Sequence, residues 1–369
     1  LMQIQHVRLR DVRRFEAVDF HPRPGFNLVT GANGSGKTSL LEAIHLLAHA
    51  RSFRGRVRDG LIRQGQPSLD VFAEWRDRTD TPHRAGLRHA GGDWEARLDG
   101  APVSHLGQLC EAMAVVTFEP GSHALIDGGS EQRRRFLDWG LFHVERHLGD
   151  DGFLALWRRH ARAHKQRNAL LRQQADGAQL DAWEHELAQA GEALTRCRER
   201  YVVQLAPYVE AGMAELLPSA GGAAIALLPG WRRQELPLAD ALLLSRDRDR
   251  LLGHTSLGPH RADLKLVLEA LPGRDGLSRG QAKLAALALL LAQARHLADV
   301  EGQWPLLQLD DLASELDRDH QAGVLRALAG SGAQVIVTGT EAPPGLAMLD
   351  LTVSRFHVEQ GRVTLADAA

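Results

Sequence analysis

Two cysteines, Cys110 and Cys197, are all the chain of 369 residues carries, with no Cys-x-x-Cys pair, which excludes a disulfide framework and suits a reducing interior. Both read as small core residues. Lysine is nearly absent: Lys37, Lys165, Lys265 and Lys283 are the only four among 44 basic residues. Arginine abundance by itself therefore carries no functional information, and each retained lysine draws attention. Aromatics make up 5% of the chain, with two tyrosines, too few for a base-stacking platform for single strands. A net charge of −2 shows no basic excess, so a nucleic-acid face would have to be local. The longest apolar run, residues 284–292, falls far short of the ~20 residues that span a bilayer. The opening LMQIQHVRLRDVRRF lacks a signal-peptide core, so the expected setting is cytoplasmic, with no membrane partner.

What is present is 44% hydrophobic residues, enough for a sizeable core, in a length that allows two domains or one with an insertion. IQHVRLRDV, EAVDFH and FNLVTG read as strands, followed by a helix over 39–50. Further strands are expected at SLDVFAEW, HRAGLRH, WEARLDG and AVVTF. From residue 131 the pattern turns helical. Leu154, Trp157, Ala161 and His164 recur at spacings of three and four, and Leu180, Trp183, Leu187, Ala190 and Leu194 repeat this beyond RQQADGAQ. The two stripes predict a short antiparallel helical hairpin of helices roughly 30 to 50 Å long. Strands return at 222–232 and 262–270. A buried helix after Gly280, a strand at WPLLQLDD, a helix at DRDHQAGVLRALA, a strand at QVIVTG and a closing hairpin complete the chain. The expected fold class is α/β, a mixed sheet with helices over 1–120 and 270–369, interrupted over 121–269 by a helical lobe that includes strands.

GANGSGKTS fits G-x-x-x-x-G-K-[ST], lies directly after an apolar strand and opens a helix. Its glycines let successive backbone N–H groups turn toward phosphate oxygens, and the helix N-terminus adds partial positive charge. Gly31, Ala32, Asn33, Gly34, Ser35, Gly36, Lys37, Thr38 and Ser39 are the candidate nucleotide-binding residues, with Lys37 as the charge for the β- and γ-phosphates and Thr38 as the magnesium hydroxyl. An apolar strand ending in Asp310 and Asp311 supplies the partner acids. Asp310 would orient the Mg²⁺ water shell and Asp311 would position the attacking water. In LSRGQ, Ser278, Gly280 and the first N–H groups of the following helix form a second anion site; Ser278 also reads as an ordinary helix cap.

GANGSGKTS, LSRGQ, LLQLDDLASELD and GHTSLGPHRADL together resemble the RecF family, and SEQRRRFLDWGLFHVE and ARSFRGRVRDGLIRQG resemble its segments too. The likeness covers almost the whole chain in order. It implies an ABC-type ATPase head of the kind shared with transporter motors and SMC proteins. It implies that Ser278, Arg279, Gly280 and Gln281 meet ATP bound to a second chain, with Ser314 and Asp317 in the loop that meets its twin across the dimer. It implies ATP with Mg²⁺ as cofactors and a slow, DNA-stimulated ATPase that marks the double-stranded edge of gaps. RecR and RecO are the implied partners, and RecA loading the outcome. Two departures point to slow turnover. ABC motors place Glu where this chain has Asp311, and a His near Gly339 and Thr340, where it has none. VTFEPGSHAL offers no Q-loop glutamine. For DNA, the basic segments 51–58, 133–135 and 158–167 suggest Arg54, Arg56, Arg133 and Arg134, reading backbone rather than bases. Rival readings are an SMC-like tether, disfavoured by the short hairpin, and a transporter ATPase, disfavoured by the absent Glu and His.

Overall fold

The computed structural model describes residues 2–54, 60–145, 152–271, 276–348 and 352–366. Arg56 lies outside the described residues. The chain divides into two compact units: Leu1–His123 with Glu215–Leu217 and Ser278–Ala369, and Ala124–Ala214 with Pro218–Leu277.

The first unit opens with β1 (Gln3–Val12), β2 (Phe15–Phe20), β3 (Phe26–Thr30) and α1 (Lys37–His49). It continues through β4 (Ser68–Arg76), β5 (Pro82–Ala90), β6 (Asp93–Leu98), β7 (Ala101–Pro102), α2 (Gly107–Ala112) and β8 (Val115–Phe118). Val7 and Leu9 of β1 point inward while Arg8 and Arg10 face solvent, the alternation of a sheet covered on one side. β2, β1, β4, β5, β6 and β7 form that antiparallel sheet in this order. Its inner face packs against α1 through Leu9, Phe15, Val71 and Trp75 against Leu40, Leu41 and Ile44.

The second unit holds α3 (Ala124–Asp127), α4 (Ser130–Val144), α5 (Phe153–Arg172), α6 (Gly177–Leu216, whose last two residues belong to the first unit), β9 (Ala223–Leu228), α7 (Leu238–Leu252) and β10 (Asp263–Leu268). The expected hairpin is α5 and α6. With 40 residues, α6 reaches about 60 Å, longer than expected. The helix α7 has no counterpart in the sequence reading. Its inward positions, Leu238, Ala241, Leu242 and Asp249, are spaced helically, but exposed Leu243, Leu244 and Leu251 blur that period. Buried Arg167 of α5 binds Glu184 of α6 (2.9 Å) and Asp249 of α7 (2.7 Å), fastening the three helices.

Two of the arginines considered for DNA contact turn inward here. Arg133 is buried, pairs with Asp263 at 2.6 Å and donates to the carbonyls of Leu125, Ile126 and Gly128. Arg134 donates to Ser130 Oγ and the Ala262 carbonyl, both at 2.7 Å. Segments 130–145 and 253–264, family-like in the sequence, thus bind each other. Arg133 and Arg134 serve the fold.

The chain returns to the first unit with α8 (Arg279–Glu301), β11 (Leu306–Leu309), α9 (Leu312–Glu315), α10 (Arg318–Ala329), β12 (Val335–Gly339), β13 (Val353–Glu359) and β14 (Arg362–Leu365). The compact first unit resumes at Ser278, and β10 pairs with β9 to Leu268 within the second unit. The second sheet runs β14-β13-β3-β12-β11-β8, parallel from β13 to β8 with β14 antiparallel at the edge. Thr30, Phe118, Leu309 and Gly339 end their strands at one edge of this sheet, where open α/β sheets bind ligands.

Candidate nucleotide-binding site

The loop after β3 is shaped by contacts that exclude side chains. Gly36 has φ 118°, and a Cβ there would lie 2.5 Å from the Phe15 ring. A Cβ on Gly31 would lie 2.4 Å from the Val358 carbonyl oxygen. Both close approaches require glycine. Gly36 leads into α1 without a side-chain cap, which leaves the helix's first N–H groups to other acceptors. Lys37 is buried and its Nζ donates to the carbonyls of Gly31 (2.7 Å) and Ala32 (2.9 Å). Burial lowers its pKa, opposed by the charges of Asp311 and Asp310. Ser35 Oγ is buried without a hydrogen-bond partner among the described residues. An ammonium on its own loop's carbonyls, an unpaired hydroxyl and an uncapped helix fit a polyphosphate.

Asp310, at the end of β11, is buried; its Oδ1 accepts from Thr38 Oγ1 (3.1 Å) and Thr338 Oγ1 (2.6 Å). Burial raises its pKa, opposed by the Thr338 and Thr38 hydroxyls. A hydroxyl and a carboxylate in contact form the hard-oxygen set that suits Mg²⁺. The Thr338 hydroxyl also accepts the Asp311 N–H at 2.9 Å, and Asp311 stands in the left-handed region at φ 51°. One buried threonine thus orients both acids. The strand QVIVTG was legible; this hydroxyl role was not, although a threonine one residue inside a strand end beside an acid pair was the available signal.

These residues line a cleft of about 680 Å³, within the range of small-ligand pockets. Asn33, Gly34, Gly36, Lys37, Thr38, Ser39, Asp310 and Asp311 line it as expected. So does Arg54, which the sequence reading gave to DNA and which lies 3.7 Å from Glu42 of α1. Arg13 and Arg14, in the turn between β1 and β2, also line the cleft and were missed. Arg13 is held by the buried Glu42 carboxylate (2.7 Å), and Arg14 donates to the Gly34 carbonyl (3.3 Å). Their signal was an arginine pair in a hairpin turn. Glu119, just after β8, was also missed. Its carboxylate accepts the Gly121 N–H, and burial, with the charges of Asp310 and Glu315 adding, pushes its pKa up to about 7.

The signature residues stand elsewhere. Ser278, Arg279, Gly280 and Gln281 are not among the residues lining the cleft. Ser278 caps α8: its Oγ accepts the Gln281 N–H (3.2 Å), and Gln281 Oε1 accepts the Ser278 N–H (2.9 Å). Ser278, Arg279 and Gly280 are exposed. Ser314 is exposed on α9, and Asp317 caps α10, accepting the His320 N–H at 3.0 Å.

Residues 3–363 match the family model of the RecF/RecN/SMC N-terminal domain. The chain belongs to the RecF family. It is 60% identical to "DNA replication and repair protein RecF" of Stenotrophomonas maltophilia (strain R551-3), over 98% of this chain and 99% of that one. It is 40% identical to the RecF of Azotobacter vinelandii (strain DJ / ATCC BAA-1303), over 98% of both. Among solved structures, "Structure of the recombination mediator protein RecF-ATP in RecFOR pathway" superposes with a TM-score of 0.86 at 24% identity, covering 99% of this chain and 98% of that one. An Smc head domain from Pyrococcus furiosus, bound to the C-terminal domain of ScpA, gives 0.59 at 15% identity, over 99% and 96%. The chain therefore has the ABC-type ATPase head fold that RecF shares with SMC proteins. Among the described residues no helix is long and apolar enough to cross a membrane.

Proposed function

We propose that this RecF-family chain is a DNA replication and repair ATPase that pairs with a second copy when ATP is bound. The observation supporting this is the separation of the signature residues from the cleft: Ser278, Arg279 and Gly280 are exposed at the start of α8 and do not line the pocket of their own chain. Gly280 strengthens it. A Cβ there would meet nothing within 4 Å, and its φ is not positive, so the chain's own packing does not require glycine. A partner's triphosphate approaching the backbone would. Among the described residues the Ser278 O–H meets no acceptor, so it can donate while its lone pair accepts the cap N–H. Two copies related by a two-fold axis would then enclose two nucleotides.

In this reading the P-loop N–H groups and Lys37 bind the polyphosphate, and Arg13, Arg14 and Arg54 surround the rest of the nucleotide. Thr38 and Asp310 hold Mg²⁺, which neutralises phosphate charge when bound. Asp311 orients the water, and Thr338 fixes both acids. Ser314 and Asp317 face the twin loop. The shorter carboxylate of Asp311 and the absence of His near Thr340 support slow turnover and an ATP-gated clamp. Duplex DNA is the partner, with RecR and RecO acting alongside to help RecA load at gaps. With Arg133 and Arg134 committed to the fold, the exposed Arg162 and Lys165 of α5 are the candidates for phosphate tracking.

Light scattering with and without ATP and duplex tests this. The wild-type chain doubles its mass on ATP; Ser278→Arg binds nucleotide normally and stays monomeric. A Ser278→Arg chain that pairs normally removes the assignment across the dimer.

A further inference from the structure

Lysine 283 is one of four lysines in a chain with 44 basic residues, and it stands in the second turn of α8, just past the exposed signature. Its Nζ lies 2.6 Å from Glu315 Oε2, with the side chains 24% and 10% exposed. Glu315 closes α9, the four-residue helix that follows Asp311. A single helical turn does not hold itself in water, so tertiary anchors fix its place. Leu312 is buried, the Thr338 hydroxyl accepts the Asp311 N–H, and Gln321 Nε2 donates to the Ala313 and Leu316 carbonyls. Lys283 adds a charged anchor at the far end. Both charges are largely withdrawn from water, where an ion pair is stronger than at the surface and removing one partner costs more.

The contacts form a continuous line. Asp310 binds Thr338 (2.6 Å), Thr338 binds the Asp311 backbone (2.9 Å), α9 leads to Glu315, and Glu315 meets Lys283 (2.6 Å). Lys283 then sits five residues beyond Ser278 on a helix that is buried on nearly every side. One end of this line is the acid pair of the chain's own cleft; the other is the surface exposed for a second chain.

We propose that Lys283 and Glu315 are positioning residues that lock the signature end of α8 to the segment after the acids, so that the chain's own site and the face it offers to its partner's nucleotide move as one piece. This rests on the dimer reading above. The pair touches no substrate; it acts through the placement of Ser278 and Gly280.

The test uses the full chain, with K283M, E315Q and the charge exchange K283E/E315K. Three quantities are read: binding of a fluorescent ATP analogue by the dilute monomer, ATP-dependent association, and thermal midpoint. The single variants bind the analogue within about twofold of wild type and associate roughly tenfold more weakly. The exchange recovers most of that tenfold, since opposite charges again face each other. A pair serving only local stability would lower the thermal midpoint without separating binding from association. If wild type dimerises on ATP and K283M does so equally well, or if the exchange recovers nothing, the positioning role is wrong. If wild type itself stays monomeric with ATP, the dimer reading fails and the proposal with it.

Discussion

The two helix mouths of the first unit, at α1 and α8, look alike in sequence, each with serine and glycine ahead of an apolar run, and they are built in opposite ways. The mouth of α1 is wrapped: Gly36 is pressed against Phe15, Lys37 is buried, and no side chain caps the helix. The mouth of α8 is capped by Ser278 and Gln281, exposed, and open around Gly280. One is shaped by its own chain to receive a ligand. The other is finished as a helix and left accessible. Glycine marks both, but only at α1 does internal packing demand it.

The largest expected break in this contrast is Lys37→Met. Without its buried ammonium the wrapped mouth loses nucleotide affinity on the order of 1000-fold, about 4 kcal/mol, read by equilibrium titration. Acid strikes the same helix next. His45 and His49 of α1 stack at 3.9 Å; burial holds His45 well below the ordinary histidine range and brings His49 to about 4. Their folded pKa values lie below the unfolded 6.5, so the stability of the neutral rings is complete above that pH. It drains away as pH falls from 6.5 toward 4, with His49 alone contributing on the order of 3 kcal/mol. Thermal midpoints across that window should fall, less steeply in His49→Gln.

Gly36→Ala must move the Phe15 ring and hold alanine at φ 118°, so it should destabilise the chain by about 3 kcal/mol in denaturant unfolding. Thr338→Val removes the hydroxyl that donates to the Asp310 carboxylate and accepts the Asp311 N–H, and should lower ATP turnover about tenfold, chiefly in kcat, with Thr338→Ser restoring it. The smallest effect has the opposite sign. Gly280→Ala should stabilise the monomer by roughly half a kcal/mol, because alanine suits a helix, while weakening ATP-dependent association. A Gly280→Ala chain that associates as wild type would erase the distinction between the two mouths.

Much of this was legible in the sequence because it rests on local patterns. The strands β1 to β6, β8 and β9 to β14, the P-loop and the acid pair follow from period, glycine spacing and strand-end chemistry. Side-chain direction was not legible. RRR reads as a basic patch, yet Arg133 is buried against Asp263, 130 residues away in sequence. Arg54 stands in a basic segment for which DNA and nucleotide contact compete in the sequence, and it lines the cleft 3.7 Å from Glu42. The cap at Ser278 was foreseen, but Gln281 was assigned to nucleotide rather than to the reciprocal half of the cap. The helix α7 escaped because its outward leucines mask its inward face. For Arg133 the missing information was a partner distant in the chain; for Gln281 it was a local choice between two hydrogen-bonding roles.

The placement of β3 between β12 and β13 has a consequence for how the molecule is made. Residues 26–30 emerge early, yet their neighbours are residues 335–339 and 353–357. On the ribosome the antiparallel sheet of β1, β2 and β4 to β7 can assemble from nascent chain, while the glycine loop waits for β12 and β13 to leave the exit tunnel. The shape of the glycine loop is thereby tied to the synthesis of residues 335–357, and a fragment released before them would carry the loop without its flanking strands.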